Sequence, residues 1–311
     1  AGVTCHVIRS TGARVRRLFV ALVALAAVLA VPVPAQSAQV ASYWGGSFNM
    51  DHGNGDYAGV NWTDRADAVI ASIKSRQPAF LAVQETCYQW VTRIRDATGY
   101  GAYIGGVAPS RGAADRQCFN SGGGGTFGNA VFFQKSFLPN AYPREHNLRT
   151  HDVKYADKIE QREMLCVVSD TVRRVVCSAH LTRGRSNNNN KNEPDRPAVR
   201  AHEASVIKED LRYWYSGYTV FLGVDANALP TEAPLNQLYH SSYGGGAGGS
   251  WKEATSPCDD QMAPNCRSGP ATHSDGKIDY LFVTPSVRIN GRSVTKARYS
   301  GHSLVWAIVA F

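Results

Sequence analysis

The sequence predicts an α/β domain, and two kinds of segment support this. Several segments are nearly continuous apolar runs, such as "AFLAVQET" (79–86) and "YTVFLGVDA" (218–226), which are typical of strands buried on both faces of a layered architecture. Two longer segments, over about 63–77 and about 197–214, repeat apolar residues with helical periodicity instead. The remaining predicted strands are "GNAVFF", "MLCVVS", "RRVVCSAHL", "KIDYLFV" and the C-terminal apolar run.

The first 38 residues have the pattern of a secretory signal peptide. Arg14, Arg16 and Arg17 precede an apolar run that ends near Val33, and small residues and prolines follow before a cleavage site near 35–38. A membrane anchor is the alternative, but the run is short for a span of about 20 residues. We therefore expect a secreted, extracellular protein without stable membrane association, with a single domain over residues 39–311.

Charge and cysteine content agree with export. Four of the 33 basic residues lie in the signal segment, which leaves 29 basic and 25 acidic residues and a net charge of +4, a mild bias towards a polyanionic partner. Six cysteines remain, an even number that predicts three disulfides in an exported chain. Six cysteines allow about 15 connectivities, all of which stay open. In the favoured one, Cys258–Cys266 would close a local loop, Cys166–Cys177 would cross a hairpin, and Cys87–Cys118 would be the remaining pair.

Polar side chains interrupt or end the predicted strands. They are carboxylates, amides and imidazoles: Asn49, Glu85, His180, Asp225, Asn227, Asp279 and His302. Each alone has an ordinary structural explanation, since a strand-end aspartate often caps a turn and a lone histidine is usually a satisfied core residue. Asp279 is harder to explain, because burying a carboxylate within "KIDYLFV" costs several kcal/mol unless it is paired or binds a metal. Oxygen donors without thiolates favour a hard cation such as Mg²⁺ or Mn²⁺.

The ordered motifs resemble one known family. "SFNM", "LAVQET", "QREMLCVV", "CSAHLT", "LGVDANALP", "KIDYLFV" and "SGHSLVWAIV" are similar to motifs of the endonuclease/exonuclease/phosphatase superfamily, whose members include deoxyribonuclease I. The resemblance runs from about Ser47 to Phe311. It implies a four-layer αββα sandwich of two mixed β-sheets flanked by helices, and one deoxyribonuclease I-like catalytic domain.

The resemblance also implies a role for each matched residue. Glu85 would be the main metal ligand, with Asn49 and Asp279 as further ligands. His180, Asp225 and His302 would be catalytic, and Arg162 and Asn227 would bind the substrate phosphate. The expected cofactor is Mg²⁺ or Mn²⁺, with Ca²⁺ as a further structural ion.

One position departs from the family. The final motif is usually Ser-Asp-His, in which the aspartate would orient the imidazole, but here it is Ser300-Gly301-His302. Three explanations are open. Another acid could reach His302, with Asp51 and Asp275 as candidates; His302 could act unassisted; or the chain could be a weakened or non-catalytic member.

The expected activity is hydrolysis of a nucleic acid by a secreted, monomeric endonuclease, with DNA as the first substrate and RNA as the second. Basic loops such as "PSRGAADR" and "RGRSNNNNKN" favour a polyanion. The alternative is a phospholipase C of the sphingomyelinase type, which needs an exposed apolar hairpin for docking. A nucleic-acid-binding member without catalysis is the second alternative.

Overall fold

The computed structural model describes residues 41–51, 61–118, 124–184 and 192–311. The expected signal peptide and much of the basic loop near residue 190 lie outside these ranges. No helix within them is long and apolar enough to cross a membrane.

The described residues form twelve strands and four α-helices. The strands are β1 (Ser42–Asn49), β2 (Phe80–Cys87), β3 (Gly101–Gly106), β4 (Phe127–Phe133), β5 (Tyr142–Asn147), β6 (Glu163–Ser169), β7 (Arg174–His180), β8 (Thr219–Asp225), β9 (Lys252–Glu253), β10 (Asp279–Val283), β11 (Arg288–Lys296) and β12 (Ser303–Ala310). The helices are α1 (Trp62–Arg76), α2 (Tyr88–Thr98), α3 (Arg196–Trp214) and the single turn α4 (Ala233–Asn236).

The strands form two mixed six-stranded sheets. Sheet 1 has the order β11-β12-β1-β2-β4-β3, and sheet 2 has the order β5-β6-β7-β8-β10-β9. Each sheet has one parallel pair at its centre, β1–β2 in sheet 1 and β7–β8 in sheet 2, and every other pairing between strands is antiparallel. A helix connects the strands of each parallel pair, α1 in sheet 1 and α3 in sheet 2.

Three apolar layers hold these elements together. Phe80, Leu165 and Phe221 belong to the layer between the sheets, and all three are fully buried. A second layer joins α1 and α2 to sheet 1, and a third joins α3 to sheet 2. Burial of each large apolar side chain in these layers stabilises the fold by about 1.5–3 kcal/mol. With apolar layers between the sheets and on the outer face of each, the sheets and helices form a four-layer α/β sandwich. The expected fold class is confirmed.

Helix α1 begins and ends where local signals place it, whereas α2 begins without one. Asn61 caps α1, its side chain accepting a hydrogen bond from the Thr63 amide at 3.3 Å, and α1 ends at Gln77 in a left-handed conformation. Helix α2 has no side-chain cap, since it starts directly after Cys87 at the end of β2. It carries no start signal in the sequence, and it was not predicted.

Three disulfides pair the six expected cysteines as predicted: Cys87–Cys118, Cys166–Cys177 and Cys258–Cys266. Cys166 and Cys177 lie directly opposite each other on β6 and β7. Three disulfides indicate an oxidising, extracellular environment.

Candidate functional site

The two parallel pairs bring polar strand ends to the same edge of the sandwich. Asn49 ends β1 beside Gln84 of β2, and His180 ends β7 directly opposite Asp225 of β8. Asp279 begins β10, which runs antiparallel to β8, and its register partner is again Asp225. The carboxyl ends of β1, β2, β7 and β8 and the amino end of β10 therefore bring these side chains to one place.

Glu85 reaches this edge because β2 contains a bulge. Val83 pairs with Ala130 of β4 and Thr86 pairs with Gly128, so two residues of β2 oppose a single residue of β4. Glu85 has φ 49°, a left-handed conformation that is unfavourable for a residue with a side chain. The bulge breaks the alternation of the strand and turns the Glu85 side chain away from the face of sheet 1.

Asn49 links the carboxylates of the two sheets. Its Nδ2 donates to Asp225 Oδ2 at 2.8 Å and to Glu85 Oε1 at 3.2 Å. The side chain of Asn49 is fully buried, and its Oδ1 accepts from the Asp51 amide at 2.7 Å. One amide therefore fixes the separation of two acids that come from different sheets.

Below this edge the sheets are also joined by polar contacts. Gln84 Nε2 donates to Ser178 Oγ at 3.0 Å, and Ser178 Oγ donates to the Val83 carbonyl at 2.7 Å. These buried bonds cross from one sheet to the other just beneath the carboxylates, so they fix the spacing of the sheets at the site.

His302 is paired with Asp279. Its Nδ1 lies 3.0 and 3.1 Å from the two Asp279 oxygens, and its Nε2 lies 4.0 Å from Asp225 Oδ2. Burial alone would lower the pKa of His302, but the adjacent Asp279 carboxylate, with Asp225 and Asp51, raises this pKa to about 10. His302 is thus an imidazolium at neutral pH.

This pairing answers the question that Gly301 raised. The acid that orients His302 is Asp279, and neither candidate acid bonds the imidazole directly. The Asp51 carboxylate accepts from the Gly301 amide at 2.9 Å. The Asp275 side chain is 68% exposed and lies 3.4 Å from His273. The same Asp279 was expected as a metal ligand, and that role stays a prediction beside its contact with His302.

The second histidine of the site is neutral. Burial, followed by the charges of Arg162 and His302, holds the pKa of His180 well below its usual range. Arg162 Nη1 lies 3.2 Å from His180 Nδ1. His180 Nε2 lies 2.9 Å from the side-chain Nδ2 of Asn227 and 3.3 Å from Asp225 Oδ2.

The acids of the site outnumber its cations. Burial and the neighbouring Asp279 raise the pKa of Asp225 to about 7. Asp225, Asp279 and His302 each offer a ligand atom within 4.8 Å of the others, and all three are buried. With Glu85 the site holds three carboxylates and one imidazolium, and Glu160 partly neutralises Arg162 at 2.6 Å. This oxygen-rich, net negative set suits a divalent cation such as Mg²⁺.

All eight residues expected at the site lie in this one connected network. Two neighbours of this network were not predicted from the sequence. The ring of His273 stacks on that of His302 with centroids 4.6 Å apart, and Glu160 bridges Arg162 and Arg116. His273 stands six residues before Asp279 in the loop that leads to β10, which is the only sequence signal that could have marked it.

Comparisons with known proteins agree with the fold. The chain is similar to an endonuclease/exonuclease/phosphatase from Bacteroides vulgatus (15% identity, TM-score 0.59, covering 86% of this chain and 98% of that chain). It is also similar to the human Nocturnin catalytic domain with bound sulfate (15%, 0.62, 87% and 94%). A third similar structure is D. rerio TDP2 complexed with single-strand DNA product (13%, 0.56, 86% and 99%).

The sequence itself has no significant match among curated proteins. The model of one family, described as the Endonuclease/Exonuclease/phosphatase family, nevertheless matches residues 46–297, which include every site residue except His302. This match spans most of the chain. The protein therefore belongs to the Endonuclease/Exonuclease/phosphatase family.

Proposed function

We propose that the protein is a secreted, divalent-metal-dependent phosphodiesterase that hydrolyses nucleic acid, with DNA as the first substrate. The observation that carries this proposal is the convergence of carboxylates, two histidines and an arginine from both sheets onto one buried edge. Hydrolases of phosphoester bonds are the rule in this family. The neighbour in complex with a single-strand DNA product supports nucleic acid as the substrate class.

The proposed ligands of the cation are Glu85, Asn49 and Asp279. When bound, a divalent cation there would stabilise the charge that develops on the phosphoryl oxygens. Glu85 is suited to this role because its side chain is 12% exposed at the open end of the network. The bulge and the Asn49 bond fix its direction before any substrate binds.

Asp225 is the residue we expect to receive the proton of the attacking water. A pKa near neutrality suits a general base at physiological pH, and binding a cation nearby would favour its carboxylate form. The backbone N–H of Asn227 donates a hydrogen bond to Asp225 Oδ1 at 2.9 Å, and this bond holds the Asp225 carboxylate in place. Asn227 has φ 46°, so its side chain is directed by an unusual backbone conformation.

His302, His180 and Arg162 would bind the scissile phosphate. The imidazolium of His302 can donate from Nε2 to a phosphoryl or leaving oxygen, while Asp279 holds its Nδ1. Arg162 is buried, and its Nε has no hydrogen-bond partner among the described residues. A buried orphan donor next to His180 supports a role in binding an anionic oxygen.

The lipid alternative has less support. The exposed large hydrophobic residues of the described chain are Tyr88, Tyr142, Tyr155, Tyr213, Trp214 and Leu229. Tyr213 and Trp214 end α3, a helix that begins near the site, so they lie about 28 Å along the helix from that end. These aromatic residues do not form an apolar hairpin beside the site.

A metal titration on three substrates tests the proposal. Supercoiled plasmid DNA, RNA and sphingomyelin are incubated with the mature protein and Mg²⁺ or Mn²⁺, with and without EDTA. We expect nicking of plasmid that EDTA abolishes and that His302→Ala lowers by about 100-fold or more. Cleavage of lipid but not of DNA would favour the phospholipase alternative, and no cleavage of any substrate would favour a binding protein.

A further inference from the structure

We propose that Asp51 is a positioning residue of the site, whose carboxylate takes the place of the side chain that Gly301 lacks and holds the 300–302 segment for His302. This inference rests on the proposed phosphodiesterase function. It assigns a task to an acid that lies outside the eight expected site residues and whose carboxylate accepts a hydrogen bond from the Gly301 amide.

The first observation is the position of the Asp51 carboxylate. Its Oδ2 accepts a hydrogen bond from the Gly301 amide at 2.9 Å, and the residue is 5% exposed. A Cβ on Gly301 would lie 3.1 Å from this same oxygen. The carboxylate therefore lies against the Cα of Gly301, where the side chain of any other residue would begin.

The second observation is how the chain holds Asp51 there. Asp51 has φ 56°, a left-handed conformation that costs about 1–2 kcal/mol for a residue with a Cβ. The Asp51 amide donates to Asn49 Oδ1 at 2.7 Å, and its carbonyl accepts from Arg65 Nη1 at 2.7 Å. The backbone N–H and the backbone carbonyl of Asp51 are thus both held by hydrogen bonds. The strained backbone between them directs the Asp51 carboxylate towards position 301.

The third observation is the ring on the other side of Gly301. A Cβ there would lie 3.4 Å from His273 Nε2, and the His273 ring stacks on His302 with an interplanar angle of 30°. A Cβ at position 301 would thus be in tight contact with the Asp51 carboxylate and in ordinary contact with this ring, so a longer side chain would have little room between them. Glycine at 301, Asp51 and His273 therefore fit one another as a set.

The 300–302 segment is tied to the end of β1 at two points. Ser300 Oγ donates to the Asn49 carbonyl at 2.9 Å and accepts from the His302 amide at 3.0 Å, and the second tie is the Asp51–Gly301 bond. Because Asn49 also contacts Glu85 and Asp225, a shift of this segment would move His302 relative to both carboxylates. Asp51 acts through this positioning and not by contact with substrate.

A carboxylate swap between the two positions tests the proposal. The variants are Asp51→Asn, Asp51→Gly, Gly301→Asp and the double variant Asp51→Gly/Gly301→Asp. Glycine suits the left-handed backbone at position 51, so Asp51→Gly removes the carboxylate without adding strain. Asp275→Asn is the matched control, since this acid lies in the neighbouring loop and is 68% exposed.

Two readouts are measured: kcat/KM for plasmid DNA, and the amide proton shift of Gly301 by NMR in metal-free protein. We expect Asp51→Asn and Asp51→Gly to lower kcat/KM by about 10- to 100-fold and to move the Gly301 amide upfield. Gly301→Asp alone should also lower kcat/KM, because it places two carboxylates in contact. The double variant should recover most of the loss, and Asp275→Asn should stay within about twofold of the wild type.

Wild-type kcat/KM and an unmoved Gly301 amide in both Asp51 variants would overturn the proposal. A double variant no better than the worse single variant would also overturn it, because position 51 would not then substitute for position 301. If the wild-type protein cleaves no substrate, the proposed function fails. The Asp51–Gly301 coupling is then decided by urea unfolding of the four variants, and additive effects there would refute it.

Discussion

Replacing Asp279 by asparagine tests whether a buried ion pair, and not only a hydrogen bond, sets the state of His302. The side chain of Asp279 is fully buried and that of His302 is 8% exposed, so asparagine keeps the shape but removes the charge. Burial, which lowers the pKa of His302, is then opposed only by more distant acids. We expect the imidazole to become neutral at pH 7 in Asp279→Asn.

The magnitude follows from the pKa of His302. A rise from the ordinary value of 6.5 to about 10 corresponds to a contribution of up to about 5 kcal/mol to the free energy of unfolding. Since the folded pKa is raised, this contribution is fully present below about pH 6.5 and is lost as the pH rises through about 10. Asp279→Asn should therefore cost about 3–5 kcal/mol near pH 7 and much less above pH 10.

Urea unfolding in EDTA at several pH values measures this difference. Asp225 also loses a stabilising contribution as the pH rises, but in the lower window between 3.8 and about 7. The comparison above about pH 8.5 is therefore sensitive to His302. If wild type and Asp279→Asn differ by the same free energy at pH 7 and above pH 10, the imidazolium assignment is wrong.

Three further predictions concern the metal site, a remote carboxyl group and a disulfide. Glu85→Gln should weaken Mg²⁺ binding in calorimetry and lower plasmid nicking by about 100-fold or more, whereas Glu209→Gln, 63% exposed, should change neither. Burial, with Glu145 and Asp115, raises the pKa of Glu163 to about 8, so stability is lost as the pH rises from 4.5 through about 8. Glu163→Gln should therefore raise the urea midpoint at pH 9 but not at pH 4, and an equal effect at both would contradict this cause. Replacing Cys87 and Cys118 by serine should lower the free energy of unfolding by about 3 kcal/mol. It should also weaken Mg²⁺ binding, because Cys87 lies two residues after Glu85. Replacing Cys258 and Cys266 by serine should leave Mg²⁺ binding unchanged.

The parts of the fold that the sequence predicted are those with strong local signals. Helices α1 and α3 begin within one residue of their expected starts, and the buried strands are where the apolar runs lie. Five strands were not predicted. Strands β3, β5, β9 and β11 lie at sheet edges, and the sequences of β5 and β11, "YPREHN" and "RINGRSVTK", are largely polar. Strand β1 is central, but its sequence "SYWGGSFN" is not a continuous apolar run. The apolar periodicity of α3 would place Trp214 on its buried side, but this residue is half exposed, with the Arg144 guanidinium 4.6 Å from its ring.

The residues of the candidate site could be predicted, but their partners could not. Asn49, Asp225 and His302 could be predicted because each is a polar residue in a short motif that can be read directly along the sequence. The contact between His302 and Asp279 depends on the register of β10 and on the packing of two sheets, which no local pattern contains. The bulge that turns Glu85 is likewise fixed by its pairing with β4.

The place of β12 in sheet 1 has a consequence for the order in which the candidate site can form. This strand is synthesised after all the others, yet it lies between β11 and β1 and is preceded directly by His302. Until β12 pairs with β1, one side of β1 is open, and neither the contact of His302 with Asp279 nor the bond of Ser300 to the Asn49 carbonyl is held in place by the sheet. The candidate site is therefore complete only when β12, the strand that is farthest from β1 in sequence among those described, has paired with β1.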